Sequence, residues 1–341
     1  LGLTLNIADP VAIHNIAVAA SIPTGGDPSL SLSYSYARFW PMLSVGITRA
    51  AATRDYELIV DGAYKPYRQH AIVAAGSLGF PVLRRADASA DLTLTYTRSD
   101  YGPADQFEVA DPTGGITIPP PTGPDASFNL GWSFSNAHAW NRSISYQEGR
   151  TLALNLGAAN PGLGGKYRTV SADWTWREYT TMPWAKLHVL GLLYAGGISV
   201  GDHQNYFGLG GFQSQDLVRA LFYQRRQCCL FLRGYPVNAV QGNQFHLFSA
   251  EYRFPLLLIE KGYSTFPLYL RQIHMALFTD VGNAFNGDLS WHGWRTGVGG
   301  ELRLNFRLGY YFETLLQFGV AKGLSKDGTS DYYWVTSFPF F

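Results

Sequence analysis

The sequence predicts an all-β protein, an antiparallel transmembrane β-barrel of about sixteen strands that occupies residues 1–341 as a single domain. Three observations predict it. Apolar residues alternate with polar or small ones at a period of two, the spacing that places each set on one face of a sheet. Hydrophobic residues form 46% of the chain, aromatics 15% and charged residues only 15%, a balance suited to a surface that does not face water. No run approaches the roughly 18 consecutive apolar residues that a membrane helix needs, so any bilayer would be crossed by strands.

Taken in order, the alternating segments run from Gly2 to Ala8, Ala12 to Ile22, Ser29 to Trp40, Met42 to Ala52, Tyr56 to Tyr67, His70 to Leu83 and Ala90 to Tyr101. Nine more follow: Ala126 to Ala137, Ser143 to Gly157, Tyr167 to Tyr179, Ala185 to Ser199, Phe245 to Pro255, Leu270 to Phe285, Trp294 to Leu308, Phe312 to Gly323 and Tyr332 to Phe341. The pattern is clearest where Phe128, Leu130, Trp132 and Phe134 oppose Asn129, Gly131 and Ser133. It recurs where Val298, Leu302, Leu304, Phe306 and Leu308 oppose Glu301, Arg303, Asn305 and Arg307, charges that a barrel would turn toward its lumen. A soluble sandwich would show the same alternation with the faces exchanged. Three features favour the membrane: rings such as Tyr34, Trp132, Trp174 and Trp176 on the apolar faces, no helical segment to cover a sheet, and strands of about 10 to 14 residues, long enough to cross a tilted path.

The two longest connections, Gly102 to Asp125 and Val200 to Gln244, both follow odd-numbered segments, which places them on one end, the extracellular one in such barrels. The stretch from Leu256 to Tyr269 is the exception, too long for a tight turn on the opposite end.

Composition also narrows the function. A net charge of +1 offers nothing to nucleic acid. The eight histidines lack metal-ligand spacing and no Gly-x-Ser-x-Gly elbow occurs, so neither an enzyme nor a cofactor is expected. Cys228 and Cys229 are adjacent and cannot brace the fold; they read as two loop thiols, with a strained vicinal disulfide as the alternative. The chain opens at Leu1 without a signal-peptide pattern and reads as a processed or excised piece, its upstream periplasmic domains lying outside it.

The long segment 200–244 is where function is expected, since unstructured connections of that length are uncommon in compact domains. It carries Gly208-Leu209-Gly210-Gly211 and then Leu232-Arg233-Gly234-Tyr235-Pro236. Ala250-Glu251-Tyr252-Arg253-Phe254-Pro255 and Phe278-Thr279-Asp280-Val281-Gly282-Asn283 follow on the next two segments. Strand parity turns Glu251 and Asp280 to the same face. A planar guanidinium can pair with both. Gly234 permits a sharp turn at the tip, and Gly282 leaves room for an approaching backbone.

A Gly-Gly element, an Arg-Gly-Tyr tip, a strand with an inward Glu and a strand reading Phe-x-Asp-x-Gly, in that order over roughly the last 135 residues, resemble the BamA, TamA and two-partner-secretion transporter superfamily. The resemblance implies a sixth loop folded into the lumen, with Arg233 docking on wall carboxylates. It implies insertion or translocation of client polypeptides in a bacterial outer membrane, contact with outer-membrane lipids, and accessory periplasmic or lipoprotein subunits. About 21 residues separate Gly211 from Arg233, more than the family pattern leads one to expect; this insert, with Arg219, Arg225 and Arg226, reads as a plug, a small helix, a partner-binding extension or a solvated excursion. The aromatic end at Phe341 resembles the terminal signal of outer-membrane barrels. Pro339 removes a ladder donor beside the first–last strand seam, which in the superfamily is the lateral gate. The competing function is a passive porin, which shares fold and lumen polarity.

Overall fold

The computed structural model describes the chain except residues 1, 12, 23–27, 39, 61–62, 103–121, 141, 203–206, 212–231, 237, 288–292, 310–311 and 338–341. The protein is all-β. Strands β1 (Gly2–Ala8), β2 (His14–Ser21), β3 (Ser29–Tyr36), β4 (Met42–Val60), β5 (Ala63–Arg84), β6 (Ser89–Tyr101), β7 (Gly123–Ser135), β8 (Gly149–Ala159), β9 (Thr169–Thr181) and β10 (Val189–Gly201) run in sequence order. The short β11 (Phe207–Leu209) and β12 (Val240–Gly242) form a ladder of their own. The main sheet resumes with β13 (Gln244–Tyr263), β14 (Phe266–Phe285), β15 (Arg295–Leu308), β16 (Phe312–Gly323) and β17 (Ser330–Ser337), which makes fifteen strands, each antiparallel to the next. Among the described residues, no pairing joins β1 to β17 and no helix is long and apolar enough to cross a membrane.

The sheet is inside out by the standards of a soluble protein. On β15, Leu302 is 43% exposed while its neighbours Glu301 and Arg303 are 3% and 8% exposed. On β13 and β14, Phe248 and Leu277 are open while Gln272, His274 and Asp280 are buried. Charged residues are almost never buried in water-soluble folds unless paired, so a polar face that is covered and an apolar face that is bare exclude the sandwich and suit a lipid-facing exterior. The covered face lies inside a curl. Gln272 on β14 donates from Nε2 to the Ser143 carbonyl at 3.3 Å, and Ser143 belongs to the β7–β8 connection, which the order of the sheet places several strands away. A flat sheet could not bring the two together.

Among the described residues the main sheet has fifteen strands where the sequence pattern gives about sixteen, for a local reason. The expected segments Met42 to Ala52, Tyr56 to Tyr67 and His70 to Leu83 form only two strands, β4 and β5, whose pairing slips between Arg54 and Leu58. Residues 55–57 stand there against residue 66 alone, and an interruption of the ladder of this kind imitates a strand end. The expected break from Leu256 to Tyr269 is likewise absent. β13 and β14 continue through it with slips at Pro255/Leu257 and Leu258/Lys261 and turn at residues 264–265. The apparent exception to the alternation of long and short connections therefore disappears. The expected strand from Ser143 to Gly157 starts only at Gly149, and residues 136–148 form the longest connection on the short-turn end. The connections 102–122 and 202–243 share the opposite end.

Candidate functional site

The described parts of the long connection pack on the inner face. Phe207 to Leu209 pair with Val240 to Gly242, and Leu209, Leu232 and Tyr235 join Ala195, Phe245, Leu247 and Ala284 in one buried apolar cluster. The tip is fixed to the Gly-Gly element by the backbone: Leu232 N–H donates to Gly210 O at 2.9 Å, and Gly211 N–H to Tyr235 O at 2.8 Å. A Cβ on Gly211 would lie 2.3 Å from that Tyr235 oxygen. Gly282 sits beneath the loop, and a Cβ there would be 3.1 Å from Leu209 Cδ1 and 3.0 Å from Leu247 Cδ1.

Arg233 is held by every N–H of its guanidinium. Nε donates to Asp280 Oδ2 at 2.7 Å and Nη2 to Asp280 Oδ1 at 2.8 Å, the paired geometry that suits a carboxylate. Nη1 donates to Glu251 Oε1 and to Glu301 Oε1, both at 3.0 Å. The remaining Nη2 proton reaches Ser249 Oγ at 3.3 Å, and Ser249 itself donates to Asp280 Oδ1 at 2.6 Å. The guanidinium carbon stands 3.4 Å from the centre of the Phe278 ring, an arrangement in which the ring face attracts the cation.

The three carboxylates meet three cations. Arg253 donates through Nε and Nη2 to Glu251 Oε2 at 2.9 and 2.7 Å. Arg303 bridges Glu301 and Glu251, donating to Glu301 Oε2 through Nε at 2.8 Å and to Glu251 Oε2 at 3.2 Å. Tyr333 on β17 donates its hydroxyl proton to Glu301 Oε1 at 2.6 Å. The net formal charge of the cluster is zero, which is how six ionised groups can share a nearly dry site. The register explains the convergence: Ser249 faces Asp280 across β13 and β14, and Ala276 faces Glu301 across β14 and β15.

The two residues after Arg233 complete the seat. Gly234 has φ +87°, a conformation open to glycine at little cost, and its carbonyl accepts from Thr329 N at 2.9 Å. The buried Tyr235 hydroxyl donates to Thr296 O at 2.8 Å and accepts from Thr296 N at 3.1 Å and Ser325 N at 3.0 Å.

Of the residues singled out in the sequence, Gly210, Gly211, Arg233, Gly234, Tyr235, Glu251, Asp280 and Gly282 lie together here. Pro339, Phe341 and the 212–231 stretch with Cys228 and Cys229 lie outside the described residues. Sequence reasoning put Glu301 and Arg303 on the inner face without linking them to Arg233, and it missed Ser249, Phe278, Tyr333 and Gly297 as partners. A Cβ on Gly297 would fall 1.9 Å from Arg233 O, a backbone contact with no local signature.

No protein-family model and no curated protein matches the sequence. Solved structures do match in shape. BamA from Haemophilus ducreyi lacking POTRA domains 1-3 aligns over 98% of this chain and 68% of its own, with 16% identity and a TM-score of 0.60. CdiB from Escherichia coli aligns over 99% of this chain and 59% of its own, with 13% identity and a TM-score of 0.55. CdiB from Acinetobacter baumannii aligns over 99% and 55%, with 14% identity and a TM-score of 0.50. The fold is therefore that shared by BamA and CdiB, and the chain spans between 55% and 68% of those chains' lengths.

Proposed function

We propose that this chain is the barrel of a BamA-like outer-membrane protein that inserts or translocates client polypeptides and carries out no catalysis of its own. In this reading residues 1–341 are one domain, the sheet closes between β1 and β17, and the inner face lines a lumen. The connection 202–243 is then the sixth extracellular loop, folded into that lumen. The observation that carries the reading is Arg233, set by its loop among Asp280, Glu251 and Glu301 of the wall. A passive porin has no use for a charge-neutral lock between a late loop and three adjacent strands, and likeness to BamA and CdiB does not favour one.

The seam supports the translocating function on physical grounds. β1 is exposed along its whole length and pairs only with β2 among the described residues. An edge whose N–H and C=O groups lack a permanent partner can accept an incoming strand. Partners in this reading are outer-membrane lipids, unfolded or partly folded polypeptides, and accessory periplasmic or lipoprotein subunits.

The test is a locked seam. Cysteine pairs placed between positions 3–8 and 331–335, with Cys228 and Cys229 changed to serine, should form a disulfide in the full-length protein. Cells relying on the locked protein should lose assembly or secretion of clients, recover it with reductant, and retain a heat-resistant barrel throughout. Normal client handling by a fully locked barrel, accompanied by a steady open conductance, would return the protein to the passive-pore class.

A further inference from the structure

A second segment crosses the inner face, from the opposite end. Connections on the short-turn end are brief, as residues 85–88 and 264–265 illustrate, yet the described residues of 136–148, all but 141, include buried side chains and reach β14. Within them Ser143, Ile144 and Gln147 are buried. The segment is organised by its own backbone: His138 N–H donates to Glu148 O at 2.9 Å, Gln147 N–H to His138 O at 2.8 Å, and Ser143 N–H to Trp140 O at 2.9 Å. It leans on the near wall, where Thr181 Oγ1 donates to Gln147 O at 3.1 Å and the Tyr146 ring stands 5.4 Å from that of Tyr179. It reaches the far wall at Gln272, the 3.3 Å bond to Ser143 O that defines the curl.

We propose that residues 136–148 form a releasable plug that closes the short-turn end of the lumen independently of the Arg233 loop. The location is suited to occlusion, because a chord from the β7–β8 corner to β14 crosses the opening between them. The chemistry is suited to release. Among the described residues the far-wall contact is one long hydrogen bond between neutral groups. Three buried polar atoms, Gln147 Nε2 in the plug and Gln272 Oε1 and His274 Nδ1 on β14, have no hydrogen-bond partner among the described residues. Buried polar groups are paired in the great majority of cases, and unpaired ones are expensive. Opening would hand these three groups to water or to the main chain of a passing polypeptide, so the closed state is only weakly favoured. The plug as such needs no client; its use in gating polypeptide passage rests on the proposed function above.

Single-channel recording on the purified full-length protein in planar bilayers, with salt alone as the probe, tests the plug without any client. The wild type should be closed with brief openings. Gln272→Glu, recorded at pH 8, keeps the acceptors but removes the donor and sets a carboxylate against the Ser143 carbonyl, so it should raise the opening frequency at least severalfold. Replacing residues 139–147 by a short turn should leave the short-turn end open. A Ser143→Cys/Gln272→Cys pair in the Cys228/Cys229 to serine background, bridged by a short reducible bifunctional thiol reagent, should abolish the openings until reductant is added. Unchanged openings in the bridged protein, together with unchanged openings in Gln272→Glu, would overturn the plug. Conductance changes as stated in a protein that handles no client would uphold the plug and overturn the translocation reading.

Discussion

Two segments enter the same curl, and they are held in opposite ways. The tip at residues 232–236 uses all five guanidinium N–H groups of Arg233 on Asp280, Glu251, Glu301 and Ser249. Among the described residues, the 136–148 connection touches the same wall through one neutral bond at 3.3 Å and leaves polar atoms unpaired around it. A buried ionic cluster is stable only when complete, because desolvating each ion is costly and removing any one member exposes the rest to that cost. A neutral contact has no such penalty for partial loss. The difference teaches that burial alone does not distinguish a strut from a gate; the degree to which each polar group is satisfied does.

The sharpest way to break the comparison is to remove the cation at its centre. Arg233→Ala would leave Asp280, Glu251 and Glu301 with only Arg253 and Arg303 as cations, and the protein should lose about 3–5 kcal/mol. Arg233→Lys should recover part of this, since an ammonium has three donors and cannot form the flat pair with Asp280. The midpoint of heat modification on semi-native gels reads both. If Arg233→Ala melts with the wild type, the cluster is wetter than its geometry indicates and the tip is not a strut.

A smaller effect separates the tip's backbone seat from its charge. Gly297→Ala would push a methyl to within 1.9 Å of Arg233 O, so the tip must lift or β15 must yield, at about 1–3 kcal/mol. The charges remain, and the loss should therefore be smaller than that of Arg233→Ala while appearing in the same heat-modification assay. Equal losses would mean that the ion pairs cannot form at all once the backbone moves.

How much of this was legible in the sequence follows from what parity can and cannot carry. Alternation alone was enough for the all-β class, because every second residue of β8, β9 or β15 differs in kind from its neighbours. It failed where the ladder slips, at Arg54/Leu58 in β4 and at Pro255/Leu257 and Leu258/Lys261 in β13. The two slips in β13 each add one residue and reverse the faces partway along the strand, and the one in β4 interrupts the ladder; each looks like an ending. The sequence did place Glu251 and Asp280 on one face. That Glu301, Arg303 and Tyr333 meet them depends on register between β14, β15 and β17, which no single strand encodes. Gly297 was invisible for a similar reason, since its partner is a backbone oxygen far away in the chain. The inward course of residues 136–148 was hidden because Ser143 and Ser145 alternate with Ile144 and Tyr146 as a strand would, while the bonds that fold them in come from Thr181 and Gln272.

The smallest expected effect is the one that most sharpens the contrast. Gln272→Leu removes the amide that donates to Ser143 O and with it the unpaired Oε1. Losing a net hydrogen bond costs about 0.5–1.5 kcal/mol, whereas eliminating a buried unsatisfied acceptor returns about 1–3 kcal/mol, and leucine fills much the same volume. The protein should therefore be as heat-stable as the wild type or slightly more so, and, because the unpaired acceptor weighs against the closed state, its channel should open no more often than that of the wild type. No change at Arg233 can be neutral in this way, because every N–H of that guanidinium is in use. A Gln272→Leu protein that melts several kilocalories early, in the manner of Arg233→Ala, would place residues 136–148 among the struts and remove the distinction between the two segments.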